Sequence, residues 1–359
     1  MRILLVGGFN WFEGIALNCE NALKKLGHEV CRFEYATLSN YSPRFSFGIT
    51  SNSMIRDFSV VQMNEGFFSK VEAVKSDLIL IIKGETILPE VLLNIKKELN
   101  IPIATWWMDD PLFEWHEDLP VARENISNSL KLFDHFFVFD SYHIPRLKRL
   151  GIRSVHWLPL AVDPNDYYPL ALSDTELSYY GSDVSFAGSA YRSRGRVLIE
   201  LMDFNLKLWG GNWLNEGLKK VTTKRGEIIS TEEACKIYNA TKINLSLCHQ
   251  QSVFGPNLRV FEILAPGGFL ITENLADLHK LFKVGEEIVC YDGVEDLKDK
   301  IKYYLAHPEE RKAIAEAGHR RVIENHTYLH RMKELLNIVS EEDKDGMNHR
   351  NTEENCLTK

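Results

Sequence analysis

The fold of this chain is decided by the sequence Asn257-Leu258-Arg259-Val260-Phe261-Glu262-Ile263-Leu264-Ala265-Pro266-Gly267-Gly268. Apolar runs at 243–247 and 269–272 flank it, and each has the length and composition of a buried parallel strand. The stretch itself predicts one short helix, which begins near Asn257 and ends at the Gly267-Gly268 pair. A strand, a helix and a second strand form the repeating unit of a doubly wound α/β sheet.

The polar residues of this helix predict an anion at one end and a diol at the other. The first four N–H groups of a helix have no intrahelical partner, so they can bind a phosphate. Arg259 adds positive charge at that end, and Glu262, one turn further on, can accept hydrogen bonds from two vicinal hydroxyls. A phosphate and a diol together outline a nucleotide, so we expect this helix to bind one.

The rest of the chain repeats the same alternation of apolar runs and helical patterns. We predict an α/β fold of two Rossmann-like doubly wound domains that face each other across a cleft. Prolines at 159, 164 and 169 mark a boundary, which places the first domain at 1–165 and the second at 166–326. The polar residues 341–359 predict a disordered tail.

Composition and charge exclude several classes of protein. The net charge of −8 argues against a basic surface for nucleic acid, and the six cysteines form no C-x-x-C pair, which is typical of free thiols in a reducing compartment. No run approaches about 18 apolar residues, so we expect no transmembrane segment, although the sequence is compatible with peripheral membrane contact. The Gly7-Gly8 loop lacks a full G-x-G-x-x-G, and no cluster has metal-ligand spacing. We predict a cytoplasmic protein that uses no cofactor and no metal.

Several short motifs follow one another in a fixed order along the chain. Those of the second half are Phe186-Ala187-Gly188-Ser189, Trp209-Gly210-Gly211-Asn212-Trp213, Gly226-Glu227-Ile228, Asn257-x-Arg259-x-x-Glu262 and His326-Thr327-Tyr328-x-x-Arg331. Those of the first half are Lys83-Gly84, Trp107-Met108-Asp109-Asp110-Pro111 and Phe133-Asp134-His135. In this order the motifs resemble GT-B glycosyltransferases, in particular the CgeB-like (spore maturation protein) family.

The resemblance implies a glycosyltransferase that moves a sugar from a nucleoside-diphosphate sugar, with a UDP-sugar favoured. The second domain would bind this donor, and the unknown acceptor (a cell-surface glycan, a lipid-linked molecule or a protein) would enter from the first. The reaction would be independent of metal. In the GT-B architecture the helix at 327–340 would pack back on the first domain. Two alternatives stay open: a nucleotide-sugar epimerase of the same architecture, and a catalytically silent nucleotide-sugar-binding protein.

The resemblance also suggests roles within the predicted helix. Glu262 matches the glutamate that binds the nucleotide ribose in related enzymes, and the alternative is an exposed helix charge. Related retaining enzymes carry a second glutamate eight positions earlier, where this chain has Phe254. This departure leaves the stereochemistry open and makes Arg259 the stronger diphosphate contact, since a guanidinium forks onto phosphate oxygens. Asn257, the first residue of the helix, is included in the donor site.

A second phosphate-facing loop is predicted at Gly188 and Ser189, which follow a strand. Glycine lets the backbone approach an anion, and Arg192 and Arg194 come directly after to neutralise it. The alternative for these arginines is the solvated basic start of a helix. Glu227 lies in the segment that would face the base of the nucleotide.

Candidates for the catalytic group lie on loops after the strands of the first domain. Asp109 and Asp110 are adjacent carboxylates, and like charges can raise the pKa of one of them. Because an Asp before proline commonly caps a helix, we expect Asp110 to be a cap and Asp109 to be functional. Glu13, in the first glycine loop, is an alternative base. Lys83 ends a strand and is either an acceptor or phosphate contact or a surface ion pair.

Overall fold

The computed structural model describes residues 1–9, 14–35, 58–112 and 120–357. The chain forms two compact units: the first comprises Met1–Leu158 with Tyr328–Lys359, and the second comprises Pro159–Thr327. The boundary therefore lies earlier than the predicted residue 165. The reason is a backbone pairing within the second unit, where Val162 donates its N–H to the carbonyl of His326 over 3.2 Å.

The first unit contains a six-stranded parallel sheet in the order β2-β1-β3-β4-β5-β6. Its strands are β1 Arg2–Gly7, β2 Glu29–Glu34, β3 Leu78–Ile82, β4 Ile103–Trp107, β5 His135–Val138 and β6 Val155–Trp157. The helices between them are α1 Ile15–Lys25, α2 Phe58–Val74, α3 Pro89–Asn94 with a π-helical turn at Ile95–Leu99, α4 Pro120–Ser129 and α5 His143–Arg149. All residues of β3 and β4 are buried, as expected for strands covered on both faces.

The strand order of this sheet reverses between β1 and β3. Ligands of doubly wound sheets bind beyond the carboxyl ends of the strands at such a reversal. Here β1 ends at Gly7, where an added Cβ would lie 2.7 Å from the Cβ of Ala16, so α1 packs directly on the strand. Lys83 and Gly84 follow β3 with φ values of 64° and 89°. A left-handed lysine is uncommon and indicates a constrained turn at this edge.

The second unit contains another six-stranded parallel sheet in the order β12-β11-β10-β7-β8-β9. Its strands are β7 Val184–Ala187, β8 Leu206–Trp209, β9 Thr222–Thr223, β10 Ile243–Ser246, β11 Leu270–Glu273 and β12 Val289–Tyr291. The order reverses between β7 and β10, because β8 lies outside β7 and β11 lies outside β10. The two sheets and their flanking helices agree with the predicted α/β class.

The helices of the second unit fix the position of the helix predicted at 257–268. They are α6 Asp174–Tyr180, α7 Arg192–Leu198, α8 Glu216–Lys220, α9 Thr231–Ala240, α10 Leu258–Leu264, α11 Leu278–Leu281, α12 Val294–Ala306 and α13 Pro308–Asn325. An added Cβ at Gly318 of α13 would lie 2.3 Å from the carbonyl of Glu287 and 2.8 Å from Leu264. Glycine at this position thus lets α13 pack closely against α10.

The last helix, α14 Tyr328–Leu357, belongs to the first unit and packs against α1. It overlaps the stretch from 341 onward that the sequence predicts to be disordered, and only residues 358–359 of that stretch lie outside the described residues. Within this helix the carboxylate of Glu342 accepts a hydrogen bond from Ser154 over 2.6 Å. Among the described helices, none has the length and apolar character needed to cross a membrane.

Candidate functional site

The candidate site of the second unit lies beyond the carboxyl ends of β7 and β10, where the strand order reverses. The side chain of Arg194 connects the loops that follow these two strands. Its Nε donates to the carbonyl of Leu247 over 2.9 Å, and its Nη1 donates to the carbonyl of Ser189 over 3.1 Å. The side chain is buried, with 6% of its surface exposed. Burial, together with the positive charge of Arg259, lowers the pKa of this guanidinium to about 10. Arg194 thus holds the loop after β7 and is not a solvated charge, whereas its contact with a phosphate stays a prediction.

Arg259 approaches the same loop from α10. An added Cβ at Gly188 would lie 2.7 Å from Nη2 of Arg259, and the φ of Gly188 is 150°. The guanidinium carbon of Arg259 lies 5.3 Å from the ring centroid of Phe186, and that of Arg194 lies 5.4 Å from it. Nε of Arg259 is buried and has no hydrogen-bond partner among the described residues. A buried cationic donor without a partner is costly, so an acceptor is expected here.

Glu262 lies one turn beyond Arg259 on α10 and is partly exposed. Its Oε1 accepts a hydrogen bond from the hydroxyl of Tyr167 over 3.0 Å. Burial raises the pKa of the Glu262 carboxyl, whereas the charge of Arg259 and the hydrogen bond from Tyr167 lower it, and burial dominates. Tyr167 was not predicted, because an aromatic residue in a proline-containing connection carries no signal of its partner.

Asn257 caps α10 rather than facing an open crevice. Its Oδ1 accepts hydrogen bonds from the backbone N–H of Arg259 and from the hydroxyl of Ser246, both over 3.0 Å. Its Nδ2 donates to the carbonyl of Leu247 over 3.3 Å. The side chain of Asn257 therefore already binds one of the first N–H groups of this helix. That an anion binds at this helix end stays a prediction.

The loops after β7 and β8 pack together through their backbones. An added Cβ at Gly211 would lie 2.8 Å from the carbonyl of Gly188, and one at Gly210 would lie 3.0 Å from the carbonyl of Glu227. Gly226 donates its N–H to the carbonyl of Gly211 over 2.9 Å. These contacts bring the segment with Glu227 beside the loop with Gly188. Three predicted donor residues are exposed here, namely Ser189, Arg192 and Glu227.

The first unit brings Lys83 and Asp109 together at the carboxyl end of its sheet. Nζ of Lys83 lies 2.6 Å from Oδ2 of Asp109 and 2.9 Å from Oε1 of Glu85. Burial lowers the pKa of Lys83, but the two carboxylates raise it more, and the result lies well above the usual lysine value. The ammonium is therefore held charged. Lys83 is a partner for anions and not a base.

Asp110 turns away from Asp109 and makes different contacts. Its Oδ1 accepts the N–H of Leu112 over 2.8 Å, and its Oδ2 accepts from Nη1 of Arg146 over 2.8 Å. It is buried, with 5% of its surface exposed, and its contact with Leu112 closes a turn; no helix of the described residues begins here. Each of the two adjacent carboxylates has its own cationic partner. Glu13 lies outside the described residues.

The comparison with known proteins follows from this architecture. Residues 192–337 match the family described as glycosyl transferase-like. Together with the two six-stranded parallel sheets, this match defines a glycosyltransferase of the GT-B fold. The predicted family and fold are thereby confirmed.

Particular relatives support the same class. The chain is 26% identical over 278 residues to spore protein CgeB of Bacillus subtilis (strain 168), which covers 72% of this chain and 81% of that protein. Its structure is similar to sucrose-phosphate synthase from Thermosynechococcus elongatus, with a TM-score of 0.70, 13% identity and coverage of 96% and 100%. It is also similar to Anabaena HepE in complex with UDP-glucose, with a TM-score of 0.62, 12% identity and coverage of 95% and 100%.

We predict that Glu262→Gln raises the free energy of unfolding at neutral pH. A carboxyl whose pKa is raised by burial binds its proton more tightly in the folded state. Its ionisation therefore lowers stability as pH rises from the unfolded value near 4.5 through the folded value. Glutamine has no such charge, and its amide oxygen can still accept from Tyr167. Urea unfolding at about pH 4 and about pH 7 should show a larger gain at the higher pH.

The matched control is Glu316→Gln, which replaces an exposed carboxylate on α13. Its unfolding free energy should differ from that of the native chain by a similar small amount at both pH values. A gain for Glu262→Gln that is equal at the two pH values would contradict desolvation as its cause.

Proposed function

We propose that this glycosyltransferase binds a nucleoside-diphosphate sugar, with a UDP-sugar favoured, in the crevice where β7 and β10 separate. The observation that carries the proposal is the partner-free Nε of Arg259 beside the Gly188 backbone, among the described residues of the second unit. A strand-order reversal is where doubly wound sheets bind ligands. The similar Anabaena HepE structure is a complex with UDP-glucose, and this supports the choice of donor.

The chemistry of a diphosphate suits this crevice. Its oxygens accept the forked donors of a guanidinium, the group that Arg259 supplies. Gly188 has no side chain, so phosphate oxygens can approach its backbone. Arg194 holds the loop in place through its two carbonyl contacts. The positive charge of Arg259 offsets the charge that develops on the leaving diphosphate, so we propose a reaction independent of metal.

Glu262 is proposed to bind the ribose of the same nucleotide. A carboxylate oxygen can accept hydrogen bonds from vicinal hydroxyls, and charge-assisted hydrogen bonds are stronger than neutral ones. Tyr167 holds Oε1 of Glu262 and thereby fixes the direction of the carboxylate. The partly exposed segment around Glu227 is proposed to face the base through backbone groups.

Asp109 is proposed as the base that accepts a proton from the acceptor hydroxyl. Its Oδ2 lies 2.6 Å from Nζ of Lys83, and this contact fixes the direction of the carboxylate. Lys83 itself cannot accept a proton while its pKa is raised. The acceptor is unassigned, and we propose a cell-surface glycan, a lipid-linked molecule or a protein. Polysaccharide biosynthesis and the cytoplasm stay predictions from the sequence.

The test of the proposed function is incubation of the purified chain with radiolabelled UDP-, GDP- and deoxythymidine-diphosphate sugars. Label in free sugar or in an added acceptor supports transfer from the donor. An isomerised donor would instead support an epimerase, and tight binding without turnover would support a silent binding protein. The transferase proposal fails in either of the last two cases.

We predict that Arg259→Gln weakens UDP binding by about 2 kcal/mol, roughly 30-fold, because a charge-assisted hydrogen bond is lost. Isothermal titration calorimetry measures the change. Arg320→Gln removes an exposed arginine of α13 in the same unit and should leave the affinity within about 2-fold. Equal affinities for Arg259→Gln and the native chain would remove Arg259 from the diphosphate site.

We predict that Asp109→Asn retains UDP affinity but lowers turnover by about 100-fold or more, as expected for loss of a general base. The control Asp299→Asn changes an exposed carboxylate of α12 and should turn over at the native rate. Normal turnover by Asp109→Asn in the labelled-donor assay would rule out its catalytic role.

A further inference from the structure

A second group of polar side chains lies at the other edge of the first sheet. β5 begins at His135, and Ser154 and His156 lie at the start of the adjacent β6. Glu342 reaches them from α14. This edge is opposite the carboxyl ends of the strands, where Lys83 and Asp109 lie. The proposed sugar transfer therefore does not use the group.

The nitrogen and oxygen atoms of this group that could bind a metal ion lie close together. Nδ1 of His135 lies 2.9 Å from Oε2 of Glu342, and Nε2 of His156 lies 3.1 Å from Oε1 of the same carboxylate. The two ring nitrogens and the carboxylate oxygen all lie within 4.8 Å of one another. Oγ of Ser154 adds a fourth oxygen, 2.6 Å from Glu342, 2.8 Å from His156 and 3.4 Å from His135.

The surroundings hold these side chains in position. The side chain of His135 is 4% exposed, that of His156 is 23% exposed and that of Glu342 is 40% exposed. The His156 ring lies 5.3 Å from the ring centroid of Phe137, which restricts its rotation. The two imidazoles come from neighbouring strands of a buried sheet. The sheet therefore fixes the positions of both imidazoles, and α14 supplies the carboxylate.

Zinc is the metal that this set of ligands suits. Bonds of about 2.0–2.2 Å in a tetrahedral site separate the ligand atoms by roughly 3.3–3.6 Å. The contacts of Glu342 with His135, His156 and Ser154, at 2.9, 3.1 and 2.6 Å, are shorter than this. Two imidazoles and one carboxylate favour Zn²⁺ over Mg²⁺ or Ca²⁺, which prefer oxygen ligands throughout. A small outward shift of each ligand atom would admit the ion.

We propose that His135 Nδ1, His156 Nε2 and the Glu342 carboxylate bind one Zn²⁺, with Ser154 or water in the fourth position. The site is structural. It ties α14 to β5 and β6 within the first unit, and it joins residues 207 positions apart in the chain. Since an ordinary unfolded chain does not preform such a site, binding of the ion stabilises the folded unit.

The test uses the purified full-length chain, freed of metal with a chelator and titrated with Zn²⁺ by calorimetry. One ion should bind per chain and raise the melting temperature. Co²⁺ in its place should give the absorption bands of a tetrahedral complex. These readouts do not involve sugar transfer, so failure of the metal proposal and failure of the proposed function are distinguishable.

Two variants assign the ligands. Glu342→Gln keeps the amide oxygen as an acceptor for Ser154 but replaces a carboxylate with a poor zinc ligand, and Zn²⁺ affinity should fall by roughly 10-fold or more. His156→Gln removes the ligand on β6 and should lower Zn²⁺ affinity by a similar factor. Far-ultraviolet circular dichroism checks that both variants fold. The control His307→Gln changes an exposed histidine whose Nδ1 lies 2.7 Å from the carbonyl of Tyr303, and it should bind like the native chain.

Two outcomes would overturn the proposal. One is that the chain binds no stoichiometric Zn²⁺, which would mean that hydrogen bonds alone join the two histidines to Glu342. The other is equal affinity of the native chain, Glu342→Gln and His156→Gln, which would show that the ion binds elsewhere.

Discussion

The hydrogen bonds of Arg194 are the interaction on which the proposed donor site depends. Its Nη1 and Nε hold the carbonyls of Ser189 and Leu247, which follow the adjacent strands β7 and β10. Burying a guanidinium is unfavourable, and the lowered pKa of Arg194 reflects that cost. Its hydrogen bonds and its contact with Phe186 offset the cost. The result is a rigid loop against which Arg259 can present its own charge.

Arg259 and Glu262 lie on the same helix, and each lowers the stability of the folded chain at a position proposed to bind the nucleotide sugar. Each has a polar group that is partly shielded from water. The Nε of Arg259 has no hydrogen-bond partner among the described residues, and the carboxyl of Glu262 has a raised pKa. Groups of this kind cluster at functional sites, because a ligand satisfies what the protein leaves unsatisfied. The close packing of Gly318 on Leu264 and the Asn257 cap hold α10 against this local cost.

The sequence predicted the elements with strong periodicity and the family through the order of its motifs. The strands were recognisable because buried parallel strands are continuous apolar runs, while the two-residue β9 is too short for any pattern. Residue type could not show that Asn257 caps α10 or that Arg194 holds two carbonyls, and their contact with a nucleotide sugar stays a prediction. Tyr167 and the pairing of His135 with Glu342 depend on contacts between distant positions, which no local spacing reveals.

The discontinuity of the first unit has a consequence for synthesis on the ribosome. The second unit is one uninterrupted segment, whereas the first is completed only by α14 at the end of the chain. The face of α1 that packs against α14 is therefore synthesised early. It lacks α14 for on the order of ten seconds at ordinary translation rates, while residues 159–327 are made. During that time the unit translated first is the one still incomplete.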